Sequence, residues 1–113
     1  MDLGLTPAEL ALQARARKFA NDVVRKRGIE IDRTGEYPWD VVEAMKAEGF
    51  LGMTIPREYG GKGASFLDAV LVIEELGKAC TVASRIAVET NMGAISSVMY
   101  YGSEAQKRLA AEL

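Results

Sequence analysis

Three capping boxes divide this sequence into helices. Each places a hydroxyl residue three positions before an acid or an amide, and they begin at Thr6, Ser65 and Ser103. In a capping box the two side chains bond each other's backbone N–H groups around the first helical turn. Glycine follows most of the apolar segments, which is where helices commonly end. The pattern predicts an all-α fold, a bundle of about five helices in an orthogonal or up-and-down arrangement.

The predicted helices follow from the spacing of apolar residues between these signals. They run from Pro7 to Gly28, Pro38 to Glu48, Phe66 to Gly77, Thr81 to Tyr101, and Glu104 to Leu113. The polar stretch 29–37 is predicted to be irregular because it lacks helical periodicity. In the second helix, we expect the apolar face to consist of Trp39, Val42 and Met45.

Composition excludes several classes of function. A chain of 113 residues can build one core, and 14 basic against 16 acidic residues give a net charge of −2. This balance provides no overall attraction to nucleic acid or to anionic membranes. One cysteine and no histidine exclude a disulfide framework, a Cys/His zinc site and a histidine-based triad. The first ten residues lack the pattern of a secretory signal, so a reducing, cytoplasmic location is expected, or the mitochondrial matrix in a eukaryote.

The segment from Thr81 to Tyr101 has an unusual composition. It carries two charges, Arg85 and Glu89, among apolar and small residues. A helix that is apolar on all sides is normally central in its protein or faces a partner. The two charges and Asn91 argue against a membrane span.

Arg85 has two interpretations. It can pair with Glu89 one turn later, although Arg before Glu is the weaker orientation for such a pair. Alternatively, its planar guanidinium faces a pocket and binds an anionic group of a ligand. The sequence alone leaves both interpretations open.

Two other features are interpreted structurally. The order Gly61-Lys62-Gly63-Ala64 does not match a phosphate-binding loop, and it predicts a tight turn with positive backbone angles. Cys80 has no neighbouring base in the sequence, so we interpret it as a small buried residue near a helix start.

Several segments together resemble the acyl-CoA dehydrogenase family, in order and in spacing, from Leu5 to Leu113. They match the N-terminal α-helical domain of that family, with most similarity to members that act on short-chain or anion-bearing acyl groups. The segments are Leu5-Thr6-Pro7-Ala8-Glu9, Glu36-Tyr37-Pro38-Trp39, Glu48-Gly49-Phe50-Leu51-Gly52-Met53, Ile55-Pro56-Arg57-Glu58-Tyr59-Gly60-Gly61, Glu74-Glu75-Leu76-Gly77-Lys78-Ala79-Cys80 and Tyr101-Gly102-Ser103-Glu104-Ala105-Gln106-Lys107.

The resemblance implies that residues 1–113 are one domain of a longer flavoenzyme, without its β-domain and its C-terminal helical domain. Those later domains bind most of the FAD and supply the catalytic carboxylate, so no catalytic, cofactor-binding or metal-binding residue is assigned in this chain. The implied partners are an acyl-CoA substrate and an electron-transfer flavoprotein or another acceptor, with neither nucleic acid nor a membrane span. The full-length protein is expected to be a homotetramer, and the isolated 113-residue chain to be inactive.

The family resemblance also implies a substrate site on the fourth predicted helix. The residues expected to line the acyl pocket are Arg85, Ile86, Glu89, Thr90, Gly93 and Ala94. Glutaryl-CoA dehydrogenases and sulfinyl acyl-CoA desulfinases use an arginine in this region, which favours Arg85 as the binding site of a substrate anion. The expected reaction is oxidation of a short-chain acyl-CoA to the 2,3-enoyl-CoA. The alternatives are a stand-alone helical interaction module, or a related flavin oxidase, monooxygenase or desulfinase.

Overall fold

The computed structural model describes residues 4–112, and within them it contains helices and turns but no strand, which confirms the all-α fold. The helices are α1 (Pro7–Phe19), α2 (Arg25–Thr34), α3 (Trp39–Glu48), α4 (Phe66–Ala79), α5 (Thr81–Asn91), α6 (Ala94–Tyr101) and α7 (Glu104–Glu112). A π-helical turn, Ala20–Val24, joins α1 to α2, and a 3-10 turn, Arg57–Tyr59, precedes α4. Leu113, the last residue of the predicted fifth helix, lies outside the described residues.

All three predicted capping boxes are confirmed. Thr6 accepts from the Glu9 amide at 3.2 Å, and its own amide donates to the Glu9 carboxylate at 2.7 Å. The pair Ser65 and Asp68 repeats this reciprocal arrangement at the start of α4. Ser103 and Gln106 do the same before α7. These boxes satisfy backbone amides that the first turn of a helix otherwise leaves unbonded.

The predicted end of the first helix at Gly28 is wrong. The chain stays helical through the π-helical turn and α2 as far as Thr34, and it ends at Gly35, which has a φ of 67°. Gly28 serves packing instead, because a Cβ at this position would lie 3.2 Å from the carbonyl oxygen of Ala79. Its missing side chain therefore lets α2 approach the junction of α4 and α5, and the buried Ile31 anchors the stretch that was predicted to be irregular.

The core forms where α4 packs against both α1 and α5. Phe19 and Phe50 meet edge to face, with ring centroids 5.4 Å apart. The largest fully buried side chains are Phe50, Met45, Leu76, Val24, Val41, Val72 and Asn91.

The predicted apolar face of α3 is correct at Met45 and at Val42, which packs against the core, but wrong at Trp39. Val41 and Met45 are fully buried, whereas Trp39 is 66% exposed. The two buried residues are one turn apart, so they define the face that meets the core. Trp39 packs outside this face against the ring of Tyr37, with centroids 4.6 Å apart.

A buried carboxylate ties α1 to α4. Glu75 is 2% exposed, and Arg17 donates to both of its oxygens, at 3.2 and 2.9 Å. Lys78 adds a third hydrogen bond at 2.8 Å. Hydrogen bonding from Arg17 is the main reason that the pKa of Glu75 lies below its ordinary value, although burial opposes this shift. Glu75 thus has a structural role.

Residues 4–112 include no helix with both the length and the hydropathy needed to span a bilayer.

Candidate functional site at the junction of α5 and α6

The predicted single helix from Thr81 to Tyr101 is wrong, because the chain breaks at Met92 and Gly93. Met92 has φ and ψ of −146° and −7°, and Gly93 has −85° and −114°, so neither residue is helical. Their amides both donate to the carbonyl of Val88, at 2.9 and 2.8 Å, which closes α5. The amide of Ser96 then donates to the Gly93 carbonyl at 3.1 Å as α6 begins.

Asn91 fixes this break to the rest of the domain. Its side chain is fully buried, and its oxygen accepts from the Met53 amide at 2.7 Å. Its amide nitrogen donates to the carbonyls of Phe50 and Ala87, both at 2.9 Å. The hydroxyl of Thr54 donates to the Asn91 carbonyl. This role was not predicted from the sequence, where the one available signal is an amide residue within a largely apolar segment.

Glu89 crosses the break and joins the two helices. One carboxylate oxygen, Oε2, accepts from the Ala94 amide at 3.1 Å, at the first residue of α6. The other oxygen, Oε1, pairs with Nη2 of Arg85 on α5. Gly93 makes room for this arrangement, because a Cβ there would overlap Oε2 and lie 3.0 Å from Glu89 Cα.

Arg85 lies on the outer face of α5. Its side chain is 72% exposed, and its ion-pair partner among residues 4–112 is Glu89, whose side chain is 38% exposed. The structure therefore shows the predicted pair with Glu89. Binding of an anion by the other N–H groups of the guanidinium stays a prediction.

The other predicted site residues are divided between surface and core. Gly93 is partly exposed and Ala94 is exposed, so both lie at the surface with Arg85 and Glu89. Ile86 points into the core and is 9% exposed. The half-buried Thr90 donates its hydroxyl to carbonyls of the preceding turn, at 3.3 and 3.2 Å. The structure thus brings four of the six predicted residues together on one surface.

An apolar groove lies between α6 and α7. Its volume is about 470 Å³, and its apolar lining includes Val98, Tyr101, Leu109 and Ala110. Tyr101 is 90% exposed, and α6 contributes no fully buried residue. Contact of the segment from Thr81 to Tyr101 with a partner or a further domain stays a prediction.

The glycine-rich loop has the predicted backbone but does not fit a phosphate group. Gly60 and Gly63 have positive φ values of 88° and 62°. The amides of Gly60, Gly61, Gly63 and Ala64 all donate to carbonyls of residues 53–57, at 2.8 to 3.1 Å. Amides that are engaged in this way cannot hold the pyrophosphate of a dinucleotide such as FAD.

Between residues 4 and 112, no group of three or more Cys, Asp or Glu side chains is placed so that it could hold a metal ion. Cys80 is a free cysteine at the junction of α4 and α5. It is half-buried, whereas the sequence analysis expected a buried residue.

Comparison with known proteins identifies the family. The family described as "Acyl-CoA dehydrogenase, N-terminal domain" matches residues 6–110. The chain is 53% identical over 109 residues to the 3-sulfinopropanoyl-CoA desulfinase of Paraburkholderia xenovorans, which is 96% of this chain and 28% of that protein. It is 50% identical over 109 residues to the desulfinase of the same name from Variovorax paradoxus, covering 96% of this chain and 27% of the relative.

A more distant relative carries a different activity in its name. The chain is 33% identical over 109 residues to "Acyl-CoA dehydrogenase, short-chain specific" of Clostridium acetobutylicum, covering 96% of this chain and 28% of that protein. The chain thus spans between 27% and 28% of the length of these three relatives. Over nearly its whole length it belongs to the acyl-CoA dehydrogenase family, whose N-terminal domain it matches.

Proposed function

We propose that the protein with this domain acts on a short-chain acyl-CoA whose acyl group ends in an anion, and that the anion is a sulfinate. The observation that carries the proposal is the exposed guanidinium of Arg85 on α5, at the surface next to the α5–α6 break. The relatives named 3-sulfinopropanoyl-CoA desulfinase, at 47% to 53% identity, support a sulfinate as the anion.

The chemistry of Arg85 suits such a group. A guanidinium presents five N–H donors in a planar fork, and it binds two oxygens of one anion with two parallel hydrogen bonds. Glu89 engages Nη2, which leaves the other guanidinium nitrogens for a ligand. A lysine in this place would offer a point charge without the fork.

The domain would supply part of the acyl pocket. In this proposal Arg85 binds the distal anion, and Glu89, Thr90, Gly93 and Ala94 shape the surrounding wall, with Ile86 supporting the helix from inside the core. The absence of side-chain bulk at Gly93 leaves the space that the Glu89 carboxylate fills. Further domains of a longer enzyme would complete the pocket, and the homotetramer expected for the full-length protein would assemble from them.

FAD-dependence is general in the acyl-CoA dehydrogenase family, and the glycine-rich loop of this domain does not fit the cofactor's pyrophosphate. We infer that the longer protein holds FAD through residues outside this chain.

A second candidate function is oxidation of a short-chain acyl-CoA to the 2,3-enoyl-CoA, which the Clostridium relative's name favours. The two reactions differ in their electron balance. Dehydrogenation removes two electrons from the acyl group, and an acceptor such as electron-transfer flavoprotein must take them. Replacing a sulfinate by hydrogen with water as co-reactant gives the saturated acyl-CoA and sulfite, which needs no external acceptor.

The test uses the full-length protein with 3-sulfinopropanoyl-CoA and butanoyl-CoA as substrates. We expect sulfite release from the first substrate without an added electron acceptor. Once further domains bury the pair of Arg85 and the sulfinate, Arg85→Ala should lower kcat/KM for the sulfinate substrate by roughly 30-fold to several thousand-fold, the range for truncating one member of a buried charge pair. Arg85→Lys should retain part of this activity because it keeps the charge.

Arg33→Ala, which removes an exposed arginine from α2, is the matched control and should leave the activity unchanged. Acceptor-dependent oxidation of butanoyl-CoA without sulfite release would favour the second function. An Arg85→Ala enzyme with unaltered preference for the sulfinate substrate would refute the role of Arg85.

A further inference from the structure

We infer that Glu89 is the positioning residue for Arg85: its carboxylate, fixed by the first amide of α6, orients the guanidinium toward the substrate anion. The inference rests on the proposed function of Arg85 and adds a specificity-determining role for Glu89. It comes from three features of the helix break, of which two concern Oε2 of Glu89 and one concerns Oε1.

The first constraint is the hydrogen bond from the Ala94 amide to Oε2, at 3.1 Å. Ala94 is the first residue of α6, so its amide has no helical acceptor and bonds the carboxylate instead. A negative charge is also favoured near the N-terminal end of a helix. The position of Oε2 is therefore tied to the backbone of α6.

The second feature is the free space at Gly93, which permits this position of Oε2. Gly93 leaves the space in which Oε2 lies, and a Cβ at this position would overlap that oxygen. The Glu89 carboxylate thus occupies a defined place over the break, whereas an exposed helical glutamate normally samples several rotamers.

The third contact is the ion pair between Oε1 and Arg85 Nη2. Because Oε2 is tied to α6, Oε1 provides a fixed acceptor for one edge of the guanidinium. The remaining N–H groups of Arg85 then point in a restricted set of directions before any ligand arrives. Preorganisation of this kind reduces the entropy lost when a ligand is bound.

The experiment must distinguish positioning of Arg85 by Glu89 from the opposite effect, in which Glu89 weakens the binding of the substrate anion. A carboxylate beside Arg85 could instead compete with the substrate anion and weaken its binding. Removal of the Glu89 charge would then improve recognition of an anionic substrate, whereas positioning predicts that it becomes worse.

The experiment compares full-length wild type with Glu89→Gln, using the ratio of the inhibition constant of butanoyl-CoA, which has no sulfinate to release, to the KM for sulfite release from 3-sulfinopropanoyl-CoA. Glutamine keeps an oxygen that can accept from Ala94 and loses the charge that holds Arg85. We expect the ratio to fall about tenfold, the effect of losing one charge-assisted hydrogen bond. Gly93→Ala, which forces the carboxylate from its place, should lower the ratio in the same direction.

The same measurement in an Arg85→Ala background separates this inference from the proposed function. If Glu89 acts through Arg85, adding Glu89→Gln to Arg85→Ala should change the ratio no further. Asp22→Asn is the matched control because it breaks another exposed i,i+4 pair, with Lys18, and it should leave the ratio unaltered.

A ratio that is unchanged or higher in Glu89→Gln, while Arg85→Ala lowers it, would overturn the positioning role and leave the function of Arg85 intact. A ratio that is insensitive to Arg85→Ala would overturn the proposed function itself.

Discussion

Removing the Asn91 side chain should destabilise the domain more than any exposed polar substitution. In Asn91→Ala, the Met53 amide loses its acceptor and the Phe50 carbonyl loses its donor, and both lie beside a fully buried position. Each unsatisfied buried group costs about 1–3 kcal/mol, so the free energy of unfolding should fall by about 2–6 kcal/mol. This is a large part of the roughly 5–15 kcal/mol that stabilises a typical domain.

The assay is urea unfolding monitored by circular dichroism. The longer protein and the 113-residue chain are measured separately. The midpoint for the chain should fall by roughly 1–3 M urea, given a dependence of about 2 kcal/mol per M, the middle of the typical range. Asn91→Asp should also destabilise, since a carboxylate cannot donate to the Phe50 carbonyl. Asn21→Ala, at an exposed position, is the control and should change stability by less than about 0.5 kcal/mol. A similarly small effect of Asn91→Ala would refute the anchoring role of Asn91.

Two further predictions concern stability. Hydrogen bonding from Arg17 is the main reason that the pKa of Glu75 is lowered in the folded state. The contribution of Glu75 to the free energy of unfolding is therefore fully present above the ordinary carboxyl pKa of 4.5, and it is lost as the pH falls through the lower pKa of the folded state. Glu75→Gln should therefore lower the free energy of unfolding by about 1–3 kcal/mol at neutral pH. The variant should also lose less stability than wild type below about pH 4.5, and an unchanged acid-unfolding curve would contradict this. Gly61→Ala should cost at least about 2 kcal/mol in the same unfolding assay, because its Cβ would lie 2.5 Å from Ile55 Cβ; wild-type stability would contradict this.

The features predicted correctly from sequence depend on neighbouring residues. The capping boxes at Thr6, Ser65 and Ser103 each act within one helical turn, so residue type and spacing suffice to locate them. The positive backbone angles of the glycine-rich loop are local in the same sense. These predictions, together with the apolar periodicity, are enough to establish an all-α domain.

The features that were missed depend on contacts between distant segments. The break after α5 is held by Asn91, whose partners at Phe50 and Met53 are 41 and 38 positions away in the sequence. Likewise, Gly28 resembles a helix stop but serves a contact with Ala79 on another helix. Neither the spacing nor the type of these residues distinguishes such a contact from an ordinary helix end.

The candidate site was predicted only in part, for the same reason. A charged pair at i and i+4, Arg85 and Glu89, is visible in the sequence. Its attachment to α6 is not, because the break was unpredicted and a continuous helix would place the Ala94 amide inside a helical hydrogen bond.

A structure of the full-length protein with bound 3-sulfinopropanoyl-CoA would test the role of Arg85 most directly. We expect two sulfinate oxygens to lie about 2.7–2.9 Å from guanidinium nitrogens of Arg85, while Glu89 still accepts from the Ala94 amide. A sulfinate bound by another cation, with Arg85 paired only to Glu89, would contradict it.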